Sequence, residues 1–154
     1  LFLGEAFGAA AELFDAALIQ GAVLPVRART LLLDWWASAL DREAQSRPAD
    51  RRAPVFDRIV SRMEGELRMD PGSAPASYWL AGAARGAGDV ERSWDAPIAG
   101  WVRAALEPET APSVRADLDR FVTQALIPER ARLRAGTSVE ALRSEWELIK
   151  TQWP

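Results

Sequence analysis

The chain has 154 residues, with 19 basic against 22 acidic ones and a formal net charge of −3. It holds neither cysteine nor histidine, which excludes disulfide frameworks, zinc–thiolate sites, thiol nucleophiles, imidazole general bases and histidine pH switches. A single domain of this size buries roughly 70% of its unfolded surface without needing a disulfide or metal, and its near-balanced charge argues against nucleic acid as the main partner.

The start, Leu1-Phe2-Leu3-Gly4, lacks methionine and is too short, without a basic leader, for a secretory signal. A processed, exported bacterial protein or an excised domain is the expectation. Lys150 is the only lysine, and the excess of arginine and alanine reads as a GC-rich coding bias. Helical periodicity begins near Glu5 and runs to Gln20, with Phe7, Ala10, Ala11, Phe14, Ala17 and Leu18 on one face and Gly21 as the stop. A second helix opens near Pro25, where proline suits a first turn. It carries the broad stripe Leu31, Leu32, Trp35, Trp36, Ala39 and Leu40.

Arg47 to Ala53, with Pro48, reads as a polar connector. The third helix starts near Pro54 and presents Val55, Phe56, Ile59, Val60, Met63 and Leu67. On its other face Arg62–Glu66 and Glu64–Arg68 are four apart and are expected to pair in water. Met69-Asp70-Pro71-Gly72 ends it. The fourth helix, about Pro75 to Gly86, is small and tight around Trp79, Leu80, Ala83 and Ala84. Gly88-Asp89 turns the chain, and Asp89 is placed to cap the fifth helix.

That helix runs to about Leu106 through Trp94, Ile98, Trp101, Val102 and Ala105, with a kink expected at Pro97. Glu107 to Pro112 reads as a loop. The sixth helix carries Val114, Leu118, Phe121, Val122, Ala125 and Leu126, and Pro128 breaks or bends it. The seventh has a capping box from Thr137 to Glu140, then Val139, Leu142, Trp146, Ile149 and Trp153. Short connections favour antiparallel neighbours. No apolar run reaches the roughly 20 residues of a membrane span. The expectation is one soluble, all-α domain, 1–154, of about seven helices stacked as antiparallel hairpins.

One stretch has a more specific spacing. With Ala74 as first position, Pro71 falls where a preceding unit would end, Leu80-Ala81 take a Leu-Gly pair, Gly88-Asp89 take a tight turn, and Ser93 and Gly100 take the two small positions of a second helix. Residues 74–107 thus resemble a tetratricopeptide repeat, whose period is about 34 residues, and Val55 to Pro71 looks like the second helix of the unit before. Ser77, Ala84 and Pro97 depart from the usual aromatic, tyrosine and phenylalanine, with Trp79, Trp94 and Trp101 as candidates for the lost volume. The outer hairpins match poorly, as capping units of a stack do.

The resemblance implies a short right-handed array that binds a peptide or protein in a groove. Family members that clamp a peptide carboxylate line that groove with asparagine and lysine. Here Tyr78, Gly82 and Arg85 take those positions and the chain has no asparagine, so the carboxylate clamp is not carried over.

Chemistry is left to carboxylates, hydroxyls, Tyr78, Lys150 and arginines. Glu64 and Glu66 lie two apart and diverge on a helix, as do Asp117 and Asp119. Neither a Glu-x-x-His metal motif nor a glycine-rich phosphate loop is present, and no cofactor is expected. The stripes Trp94–Trp101 and Trp146–Trp153 read as core packing. Trp35 and Trp36 sit about 100° apart, so either the helix is sandwiched or one indole faces a groove. Arg51-Arg52 and the run Arg130 to Arg134 read as solvated mixed-charge surface.

A non-catalytic module that docks a protein or peptide segment, with Tyr78 and Arg85 on its groove, is the leading expectation. A small-molecule or lipid-binding domain with an aromatic pocket at Trp35 and Trp36 is the alternative. A carboxylate enzyme, with two acids converging from separate helices, is the third.

Overall fold

The computed structural model describes residues 6–20, 24–106, 108 and 111–154. Gly21, Glu107, Glu109 and Thr110, named above as helix stop and loop, lie outside them. Among the described residues there is no strand. The helices are α1 (Phe7–Gln20), α2 (Val26–Ser46), α3 (Ala53–Met69), α4 (Ala74–Ala87), α5 (Val90–Arg103), α6 (Ala111–Phe121), α7 (Ile127–Leu133) and α8 (Val139–Gln152). A π-helical stretch, Val122–Leu126, joins α6 and α7 into one rod.

Local sequence explains most boundaries. Pro25 precedes α2, and Pro54 and Pro75 sit in the first turns of α3 and α4, where a missing N–H costs nothing. Ser73 Oγ accepts from the Ala76 N–H at the start of α4. Gly88 then adopts φ 86°, a left-handed cap that side chains disfavour. The Asp89 N–H reaches the Ala84 carbonyl at 2.9 Å, and Asp89 Oδ1 accepts from the Arg92 N–H at 3.0 Å. The turn is therefore capped from both sides.

Three boundaries differ from expectation. The cap of α8 is Ser138, whose Oγ accepts from the Ala141 N–H, one residue later than Thr137. Pro112 lies inside the first turn of α6, not in a loop. Pro128, expected to break or bend its helix, does not end it: the rod continues as α7. Its ring and missing N–H would conflict with the fourth carbonyl back, and the π stretch just before it resets the ladder, with the Ile127 N–H bonding the Val122 carbonyl. α5 likewise runs through Pro97, whose ring is fully buried.

Side-chain pairings set the helix directions. Glu12–Arg58 and Asp15–Arg62 rise together, so α1 and α3 run parallel. Arg29–Glu66 opposes Arg62 over the Trp36 ring, so α2 is antiparallel to α3. Ser77 faces Gly100 closely enough that a Cβ on the glycine would lie 2.7 Å from the Ser77 Cβ; α4 and α5 are antiparallel and nearly touch backbone to backbone. Val90–Arg130 and Trp101–Arg115 make the α6–α7 rod antiparallel to α5. α2 and α6 both also contact α4.

The main core gathers α1 to α5 around Trp36, Phe56, Ile59, Met63, Ala81 and Ala84. A second cluster joins α5, the π stretch, α7 and α8 through Trp94, Val122, Leu126, Ile127, Leu142 and Trp146. Phe121 packs against both. None of the helices is long and apolar enough to cross a membrane, among the described residues.

Candidate docking groove

α2 has 21 residues and outruns its neighbours. Trp36, Ala37, Ala39, Leu40 and Ala44, in its C-terminal half, are buried, whereas Val26 and Leu31 in the first two turns are 77% and 46% exposed. Across from them stand the first turns of α4 and α6. Between the three helices lies a groove of about 910 Å³, lined by the apolar Val26, Leu31, Pro75, Tyr78, Trp79 and Val114, by Asp34, Asp70 and Asp117, and by Arg27, Thr30 and Ser73. A smaller recess of about 200 Å³ continues it from Tyr78 and Trp79 to Asp41, Gly82, Arg85 and Phe121.

Trp79 is fixed by an N–H···O bond from its Nε1 to Asp34 Oδ1 at 2.8 Å. Tyr78 meets Trp79 edge-on at 5.8 Å and leans on Phe121 at 5.9 Å. Burial raises the Tyr78 phenol above its ordinary pKa, and the charges of Asp117, Asp34 and Asp41 push the same way against Arg120. Burial also raises the Asp41 carboxyl, opposed by a Gln45 hydrogen bond and the Arg42 charge. Both shifts mark a recess that is partly desolvated, and the carboxylates around Tyr78 add negative charge at its mouth.

Of the residues the sequence singles out, Tyr78, Gly82 and Arg85 line this one face of α4. Arg85 Nε donates to Glu129 Oε2 of α7 at 2.5 Å, which closes the far end. Trp35 and Trp36 point apart. Trp35 is 46% exposed and packs on Phe14 of α1. Trp36 is 1% exposed, beneath the guanidinium groups of Arg58 and Arg62 at 5.8 and 5.2 Å, and its Nε1 has no hydrogen-bond partner among the described residues. The groove adds Val26, Leu31, Asp34, Trp79 and Asp117 to the sequence-derived set. Their signal was the width of the α2 stripe, which exceeds what one core face requires, and the Tyr78–Trp79 adjacency.

Several carboxylates outside the groove are engaged between helices. Glu66 pairs with Arg29, Glu64 with Arg92, and Arg62 with Asp15, so the expected Arg62–Glu66 and Glu64–Arg68 pairs do not form. A charge on a neighbouring helix, held by packing, displaces the floppy same-helix partner. Arg130 corrects the solvated reading of its run. It is 7% exposed, stacked on Trp94 at 5.0 Å and bonded to Glu91. Asp117 and Asp119 diverge as expected, Asp117 towards the groove and Asp119 towards α8. No group of three or more acidic side chains could hold a metal ion, among the described residues.

Asp119 ties the second cluster together, its Oδ1 accepting from Trp146 Nε1 and Lys150 Nζ at 2.8 Å each. Burial pushes its carboxyl up, but the Lys150 and Trp146 hydrogen bonds and the Lys150 charge prevail and hold its pKa below the ordinary value. The folded state thus binds this proton more weakly than the unfolded chain. Its stabilising contribution is full above the unfolded value of about 3.9 and is lost as pH falls through the folded pKa. Urea unfolding of the wild type and Asp119→Asn should show a stability gap at neutral pH that narrows as pH falls below the ordinary carboxylate value. A gap independent of pH would contradict this.

The described residues thus form an all-α array of antiparallel neighbours, with a partly apolar groove between α2, α4 and α6 that Asp34, Asp70 and Asp117 help to line. Neither a family model, nor a curated protein, nor a solved structure matches this chain.

Proposed function

We propose that the chain is a non-catalytic interaction module that docks a protein or peptide segment in the groove between α2, α4 and α6. The observation that carries this reading is the groove itself, about 910 Å³ with exposed Val26 and Leu31 beside Tyr78 and Trp79. Apolar surface held open to water marks a binding surface when it is contiguous and concave.

The hairpin frame supports the same reading. If residues 74–107 are one tetratricopeptide-like unit, α4 is its first helix, α3 closes the unit before, and α2 and α6 are the first helices on either side. Alternate helices of an antiparallel array share one face, and the groove is built from those three. Tyr78, Gly82 and Arg85 stand on the ligand-facing positions of that frame.

The test is affinity capture with the purified chain immobilised and lysate from its source as input. Three forms are compared: wild type, Leu31→Glu in the groove, and Leu13→Glu on α1, where Leu13 is 61% exposed. Partner retention should fall about ten-fold or more for Leu31→Glu, since a charge replaces a central apolar contact, and stay unchanged for Leu13→Glu. Equal retention by all three forms would reject the groove, and a co-purifying small molecule in place of a protein would move the reading to ligand binding.

A further inference from the structure

We infer that the segment this groove accepts is basic, with a lysine or arginine side chain seated where the Tyr78 and Trp79 rings meet the carboxylates of Asp34 and Asp117. The inference rests on the docking reading above and adds the chemistry of the occupant.

Charge balance around the groove is the first argument. Asp34, Asp70 and Asp117 line it against Arg27, although the chain as a whole is close to neutral. Elsewhere several carboxylates meet guanidinium groups across helix boundaries, as Asp15 does with Arg58 and Arg62, Glu66 with Arg29, Glu91 with Arg130 and Arg134, and Glu129 with Arg85. The groove carboxylates have no such cross-helix guanidinium partner among the described residues. Asp34 accepts from the neutral indole of Trp79, and Asp70 accepts from the Gly72 backbone N–H. Neither has an ion pair among the described residues. Among the described residues, Asp117 pairs only with Arg120 of its own helix, at 3.3 Å with both side chains more than half exposed, a pair of little strength.

The rings give the second argument. Within the fold, arginines cover the indoles of Trp36, Trp94 and Trp101 at 5.0 to 5.8 Å. Trp79 is half-buried on the groove wall and no such guanidinium covers it among the described residues. A cation placed there gains the ring face and nearby carboxylates together, and each strengthens the other where water is partly excluded. Burial is the main cause of the raised Tyr78 phenol, and the Asp117 and Asp34 charges that add to it against Arg120 are the ones that would attract such a cation. An acidic segment would meet the reverse, which confers selectivity as well as affinity.

Panning a display library of random short peptides against the immobilised full chain tests this directly. The comparison forms are Asp34→Asn with Asp117→Asn, and Glu140→Gln on the exposed side of α8. The Asp34→Asn side chain keeps an oxygen for the Trp79 N–H, so the double variant should fold, and circular dichroism checks that it does. Peptides recovered on the wild type should be enriched in lysine or arginine beside aliphatic residues. A selected peptide, synthesised and titrated, should bind the double variant about ten-fold more weakly, bind Glu140→Gln as the wild type, and weaken with added salt. Recovery of neutral or acidic peptides that bind all three forms alike would overturn the basic occupant and leave the groove standing. Recovery of no peptide above background would overturn both.

Discussion

Trp146→Ala is expected to lower the unfolding free energy by about 3–5 kcal/mol, the range for removing a fully buried indole. Its side chain is 0% exposed at the centre of the second cluster. It packs edge-on against Trp101 at 5.4 Å and donates its N–H to Asp119. Alanine leaves a cavity that α8 cannot close, because Leu142 above and Lys150 below hold its spacing. Trp146→Phe keeps most of the volume and loses the hydrogen bond, so it should cost less, about 1–2 kcal/mol.

The two core clusters add a second readout. α8 touches the rest of the molecule chiefly through α7, Trp101 and Asp119, and it can open without the main core. In Trp146→Ala, hydrogen exchange should therefore speed up first along Val139–Gln152. Urea unfolding that shows less than about 1 kcal/mol of loss would mean that the indole is not packed as described.

The second large effect is Arg29→Met. Glu66 is 6% exposed, an uncommon position for a carboxylate. Arg29 meets both its oxygens, Nη2 to Oε1 at 2.5 Å and Nε to Oε2 at 3.2 Å. Removing the guanidinium leaves a buried charge without compensation, a loss of about 3 kcal/mol, at the low end for broken buried pairs because the Arg29 side chain is 28% exposed and water can enter. Arg29→Met combined with Glu66→Met should recover most of that loss, since two apolar side chains replace an expensive pair. Additive losses in the double variant would show that the pair is not buried in solution. Arg29 also pins the N-terminal half of α2 to α3, and that half carries Val26 and Leu31. The single variant should thus weaken docking beyond its effect on stability.

The helices and their turns were legible in the sequence where local chemistry decides them. Pro25, Pro54 and Pro75 open helices, Gly88-Asp89 turns the chain, and the core face of α3 reads out as Val55, Phe56, Ile59, Val60 and Met63. The seven-residue step from Tyr78 to Arg85, close to two helical turns, put both on one face as the structure has them. Charge pairing was not legible. Nothing in a single helix reveals that Asp15 and Arg29 arrive from α1 and α2 to take Arg62 and Glu66. Burial of Arg130 depends in the same way on α5 supplying Trp94 and Glu91. The groove was half legible, because the apolar width of α2 shows in its residues, but where its neighbours stop covering it does not.

Photo-cross-linking tests the central claim most directly. A photoreactive amino acid at Leu31, and in a separate variant at Leu13, is irradiated in the presence of the partner captured by the wild-type chain. Docking between α2, α4 and α6 predicts a covalent adduct from position 31 and little or none from position 13. An adduct formed from position 13 and absent from position 31 would place the partner on α1 and contradict the groove as the docking site.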